Sequence, residues 1–168
     1  MQPLTHVMVP SSPSTQVEQK NKHVVRQFFE LLDRHDTDRI GQLLVSSTNY
    51  SFHIGGMPSV DWNEHKGLLT GVNNAFPDLH HEIIDMVAER DKVAVRLNVT
   101  GIHKGEFQGI PPTGKKLSLY EMGFITIIDG KITEGWISAD TMRLLQQLGV
   151  LLPSSPANTG SSSSTVGS

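Results

Sequence analysis

Residues 129–149 read D-G-K-I-T-E-G-W-I-S-A-D-T-M-R-L-L-Q-Q-L-G and hold a turn, a strand and a helix in that order. Asp129-Gly130 is a hairpin signal, because a two-residue turn of type I′ needs positive φ at both positions. Lys131 to Ala139 reads as the strand that follows, with Trp136 along it. Thr141 to Leu148 is a short amphipathic helix closed by Gly149, a good C-cap. Asp140 stands between strand and helix. If the strand alternates regularly, Ile132, Glu134, Trp136, Ser138 and Asp140 share one face. An acid would then end a strand beside a bulky aromatic, which is one way to line a pocket with a general acid/base.

Working back from the hairpin, Leu117 to Ile128 predicts a long strand, and the loop 105–114 (G-E-F-Q-G-I-P-P-T-G) is dense in turn residues. Asp91 begins another strand in which Val93, Val95, Leu97 and Val99 alternate with Ala94, Arg96, Asn98 and Thr100; Gly101 suggests a bulge. His81 to Val87 predicts the strand before it. Upstream of Phe76-Pro77-Asp78 the period changes to that of helices. Thr15 to Arg34 carries Val17, Val24, Val25, Phe28, Leu31 and Leu32 on one face. Asp36 or Thr37 caps a short second helix with Ile40, Leu43 and Leu44 inside. Thr48 to Ile54 reads as a strand. Asp61 and Glu64 form a capping box for a third helix whose inner face is Trp62, Leu68, Leu69, Val72 and Phe76. Three helices followed by mostly antiparallel strands predict an α+β fold: a curved sheet wrapped around the N-terminal helices as a cone with an internal pocket.

Composition bounds what such a domain does. The 168 residues suit one domain, expected over 16–152, with tails at 1–15 and at the Ser/Gly/Pro-rich 153–168. A net charge of -3, with Lys115-Lys116 the only adjacent basic pair, argues against nucleic acid. Absence of cysteine rules out thiolate metal sites and disulfides and fits a reducing compartment. Neither a signal peptide nor an apolar run long enough to span a membrane is present. The expectation is a cytoplasmic domain.

Four stretches together, F-P-D-L-H-H (76–81), D-K-V-A-V-R (91–96), G-I-H-K-G-E-F-Q-G-I-P-P-T-G-K-K (101–116) and the opening segment, resemble the SnoaL-like polyketide cyclases of the nuclear transport factor 2-like, cystatin-like α+β superfamily. The resemblance spans about residues 17–150. It implies an intramolecular aldol ring closure without metal, Schiff base or other cofactor, a pocket Asp that falls by motif on Asp140, and a homodimer joined through the convex sheet face. Two positions depart from the pattern: Thr126 stands where many relatives have Arg, and Gly135 where many have His.

Each candidate residue has a structural reading beside the functional one. Asp140 is either the acid/base or a helix N-cap, roles that are compatible. Glu121 interrupts an apolar strand face with Leu119, Gly123, Ile125 and Ile127, so either that face is solvated or the acid lines the pocket. Two acids in one cavity would drive their pKa values apart and could divide acid and base roles. His53, between Phe52 and Ile54, is a pocket or a core histidine; relatives often place a cavity-facing His nearby. His103 either orients a carbonyl or holds its turn. Trp62, Trp136 and Phe28 are core-sized aromatics that would also stack on a flat, hydrophobic ligand. Adjacent His80 and His81 would point to opposite faces of a strand, and with His65 they show no metal-ligand spacing. No phosphate loop or nucleophile elbow occurs. The reading is a cofactor-free cyclase or isomerase, of the lyase or isomerase class, acting on a hydrophobic, carbonyl-bearing small molecule. Asp140 would move the proton alpha to a carbonyl; His53, with His103 or Glu121, would bind the developing oxyanion. The alternatives are a non-catalytic ligand- or partner-binding cone, and water activation on an epoxide.

Overall fold

The computed structural model describes residues 13–46 and 48–150. The tail expected at 153–168, and most of that expected at 1–15, lie outside the described residues. Four helices and five strands follow the order α1 (Pro13–Asp33), α2 (Thr37–Leu43), β1 (Ser51–Ile54), α3 (Trp62–Ala75), β2 (His80–Glu89), β3 (Lys92–Ile102), β4 (Lys116–Ile128), β5 (Lys131–Ala139) and α4 (Thr141–Leu148). The strands form one open sheet in the order β1-β5-β4-β3-β2, with β1 parallel to β5 and every other neighbour antiparallel. This is the α+β architecture that the helix-then-strand order predicts.

Local chemistry sets most boundaries. Asp36 caps α2 by accepting from Arg39 N, and Asp61 with Glu64 forms the reciprocal capping box of α3. Asp129 and Gly130 both have positive φ (50° and 75°), as a type I′ hairpin requires. β1 is shorter than the expected 48–54 because Asn49 N donates to Ser46 O and closes a turn first. Leu68, expected inside, is exposed, and His65 takes its place in the core. Positions 62, 65, 69, 72 and 76 repeat at three- and four-residue spacing, so the true stripe runs through the histidine.

The sheet has two unlike faces. Val93, Val95, Leu97 and Val99 of β3 are buried opposite Ile125, Gly123, Glu121 and Leu119 of β4. This inner face is the one the helices cover: α1 lies against β2 and β3, and α4 against β4. The outer face carries exposed Val87, Tyr120, Met122, Phe124 and Trp136. Gly101 is no bulge, since it pairs in register with Leu117; it makes room for Leu79, whose Cδ1 would lie 3.1 Å from an added Cβ. The bulges lie elsewhere, between Ile83 and Asp85 on β2 and between Ile132 and Glu134 on β5. The second one corrects the expected face of β5. Ile132 is buried opposite Ile127, and the extra Thr133 then turns Glu134, Trp136 and Ser138 outward.

The end of the chain's motif is used for docking α4. β5 stops pairing at Ala139 opposite Glu121, which leaves the edge of β4 free below that point. Gln147 fills it like a strand residue: its Oε1 accepts from Ser118 N and its Nε2 donates to Ser118 O, both at 2.8 Å. Leu148 is buried, and Gly149 closes the helix at φ 83°.

Candidate functional site

Among the described residues, one acid stands in mid-strand on the helix-covered face. Glu121 on β4 stands between Leu97 of β3 and Ala139 of β5 in the same row. It is only partly accessible, yet burial raises its carboxyl above the usual range, with His81 pulling weakly the other way. Its oxygens have no hydrogen-bond partner among the described residues and are still not sealed from a water-sized probe. The carboxyl is hemmed in by protein and still retains some accessible surface.

His81 belongs to the same face, because its cross-strand partner is buried Val99. Its Nδ1 lies 2.7 Å from Oδ1 of Asp33, the last residue of α1. His80 reaches the other oxygen of the same acid at 2.6 Å. In register the two alternate as expected, His80 opposite Thr100 and His81 opposite Val99, yet both imidazoles reach the carboxylate of Asp33. Burial would raise the Asp33 carboxyl, but the bonds from His81 and His80 outweigh it and hold the group below its ordinary range. The pairing of Asp33 with His81 is not legible in sequence, because the acid ends an amphipathic helix and the histidine opens a strand 48 residues on.

A second polar cluster is sealed in the core. Tyr50 Oη and His65 Nδ1 are 2.9 Å apart, and the His65 ring stacks on Phe52 at 3.9 Å. Trp62 stands edge-on to both Tyr50 and His65. Burial depresses the His65 imidazole to about 4 and pushes the Tyr50 phenol up. The pair fixes the β1–α3 packing with the histidine neutral.

The remaining candidates are spread out. Asp140 is exposed and caps α4, its Oδ1 accepting from Arg143 N at 3.0 Å. It follows Ala139, the β5 neighbour of Glu121. His53 does not face the inner side: Phe52 does, so the next residue on β1 points outward. There its ring stacks on Trp136 at 3.7 Å, with Nε2 3.4 Å from Glu134 Oε1 but outside hydrogen-bonding geometry. Trp136 and Trp62 thus lie on opposite sides of the sheet and do not close one pocket. Phe28 is a core residue packed edge-to-face on Phe29. His103 is fully buried and holds its loop: Nδ1 accepts from Thr113 N at 3.3 Å and lies 3.1 Å from Thr113 Oγ1. Thr126 bonds Lys92 on the outer face, and Gly135 lies directly beneath Phe52.

Comparison with known proteins agrees with this architecture. A solved structure of AclR from Streptomyces galilaeus, a candidate hydroxylase, is 30% identical, covers 83% of this chain and 87% of its own, and superposes with a TM-score of 0.75. IdmH from Streptomyces antibioticus, a candidate polyketide cyclase, is 25% identical over 77% of this chain and 98% of its own, with a TM-score of 0.69. A candidate SnoaL-like polyketide cyclase from Jannaschia sp. CCS1 shares the fold at 19% identity and a TM-score of 0.75, over 85% of this chain and 99% of that one. Among curated protein sequences none matches the chain. The model of the SnoaL-like polyketide cyclase family matches residues 22–148, the span from α1 to the end of α4, and the chain belongs to that family.

Proposed function

We propose that this protein is a cofactor-independent cyclase or isomerase that applies a carboxyl group inside the cone to a hydrophobic, carbonyl-bearing small molecule of polyketide type. The observation that carries this reading is Glu121, a carboxyl on the helix-covered face with no hydrogen-bond partner among the described residues, whose burial favours the protonated form. A neutral carboxylic acid donates a hydrogen bond to a carbonyl oxygen and, as charge develops there, its proton. In an aldol closure the enolate carbon bonds to a second carbonyl carbon, the π pair moves to oxygen, and the acid protonates it. Apolar Leu97, Leu119 and Ile83 around the acid suit the ring carbons of such a substrate. A hydroxylase reading, which the likeness to AclR suggests, is less favoured, because ring closure asks only for the proton transfers these residues supply.

Asp140, the acid indicated by the family motif, is the rival carboxyl. Its Oδ2 has no hydrogen-bond partner among the described residues, so capping α4 leaves one oxygen free. Deuterium exchange at the α-carbon of α-tetralone in D2O, followed by proton NMR, tests both. Glu121→Gln is expected to lower exchange by about 100-fold or more, with Asp140→Asn close to wild type. The reverse pattern transfers the role to Asp140. No exchange above background in the wild type favours a non-catalytic binding cone.

The proposed partner is a second copy of the chain on the outer sheet face. Met122, Phe124 and Trp136 are exposed there beside the Asp85–Arg96 ion pair, a mixture typical of interfaces. Light scattering on wild type and on Phe124→Glu checks this: a dimer that dissociates in the variant supports it.

A further inference from the structure

The carboxylate of Asp33 is committed on three sides. It accepts from His81 Nδ1 at 2.7 Å, from His80 Nδ1 at 2.6 Å, and from the His81 backbone N–H at 3.0 and 3.3 Å. An acid that accepts at Nδ1 fixes the tautomer of a neutral imidazole, so the His81 proton sits on Nδ1 and the basic lone pair on Nε2. That Nε2 has no hydrogen-bond partner among the described residues. It is not sealed either, because the sealed, unpartnered side-chain nitrogens among those residues are Nε2 of His53 and of His103.

Glu121 stands diagonally across β3 from His81, one inward-facing position along from Leu119, which is directly opposite. Val99 lies beside His81 and Leu97 beside Glu121, so both side chains project over one apolar floor on the inner face. β2 and β4 flank β3, and the two residues are offset by two positions along it, which sets their backbones roughly 12 Å apart. No hydrogen bond joins the groups, yet each lies within the other's electrostatic reach. His80 takes the far oxygen of Asp33, and α1 presents apolar Phe29, its ring centroid 5.6 Å from that of His81.

We propose that His81, aimed by Asp33, is the base of this site and works across the inner face from Glu121 on a ketone held between them. This rests on the reading of Glu121 given above. His81 Nε2 takes the proton alpha to one carbonyl, and the C–H pair becomes the enolate. Its carbon bonds to a second carbonyl carbon, whose π pair moves to oxygen and takes the proton from Glu121. The product is an isomer of the substrate, and one proton passing from His81 to Glu121 through water resets the pair. Asp33 is a positioning residue, since it touches only the imidazoles and a backbone N–H.

The test separates this inference from the reading beneath it. Nitrogen-15 spectra of the histidine rings in the ligand-free, full-length protein are expected to show His81 as the Nδ1–H tautomer. In Asp33→Leu that preference is expected to be lost, with the ring passing to the Nε2–H form. An Nε2–H tautomer in the wild type, or an Nδ1–H preference unchanged in Asp33→Leu, overturns the pairing whatever Glu121 does. In the α-tetralone assay His81→Gln is expected to lose about 100-fold or more in exchange rate while melting near wild type. Exchange undiminished in His81→Gln but lost in Glu121→Gln overturns the base and leaves the acid standing. Exchange undiminished in Glu121→Gln, or absent in the wild type, removes the underlying reading. Should His81→Gln fail to fold, Asp33→Asn carries the same kinetic arm, with a shifted pH profile expected and an unshifted one overturning the proposal.

Discussion

Gly135 lies under the ring of Phe52: a Cβ placed on it would come within 2.5 Å of Phe52 Cδ2 and 2.6 Å of Cε2. The ring cannot withdraw, because its other side stacks on His65 at 3.9 Å. The bare glycine on β5 leaves room for the aromatic that β1 contributes. The inner face there is filled by the Phe52 ring.

Gly135→Ala is therefore expected to destabilise the fold by overpacking, by about 1–3 kcal/mol. Urea denaturation would show a lower midpoint at an unchanged slope. Adding Phe52→Leu should recover part of the loss. Full stability in Gly135→Ala alone would mean that the Phe52 ring has somewhere to go.

Asp140 has a role in capping that can be measured apart from chemistry. Its Oδ1 accepts from Arg143 N, and α4 is only eight residues long. Asp140→Ala is expected to cost about 1 kcal/mol, while Asp140→Asn, which caps as well, should cost little. Thermal melting distinguishes the two. Equal melting of all three proteins would remove the cap from the account of this motif.

Much of this was legible in sequence because it depends on near neighbours. The Asp129-Gly130 turn, the Asp61/Glu64 box and the alternation of β3 follow from residues a few positions apart. The bulge after Ile132 did not, since β-branched Thr133 looks like any strand residue, and one extra residue reverses every face after it. That single insertion sent Trp136 outward, away from Trp62. Glu121 was visible as an anomaly because a carboxylate is rare on an apolar face. Asp33 and His81 were not, because only the docking of α1 on β2 brings them together.

Glu121 also predicts a pH dependence of stability. Below about 4.5, its unperturbed value, both folded and unfolded chains hold the proton and the group contributes no difference. Above that pH the unfolded chain releases the proton while the buried carboxyl keeps it, so stability falls as pH rises until the raised folded value is passed, and then levels. Glu121→Gln lacks this loss. It is expected to be more stable than wild type at pH 8 relative to pH 4, as read from paired denaturation curves. A constant difference across that range would mean the carboxyl is better solvated than its surroundings indicate.

His65 gives the opposite slope in an overlapping window. Its folded value is depressed from 6.5 to about 4 by burial, so the neutral ring stabilises the fold fully above 6.5. As pH falls from 6.5 to 4 the unfolded chain gains a proton that the folded core refuses, and that stabilisation is lost, about 3 kcal/mol at most. Asp33, held below 3.8, contributes its own loss only at lower pH, so the two are separable. His65→Gln keeps a polar partner for Tyr50 without a titrating ring. It should be less stable than wild type at pH 7.5, with the gap closing by pH 4. A gap that stays open would place the titration outside the Tyr50–His65 pair.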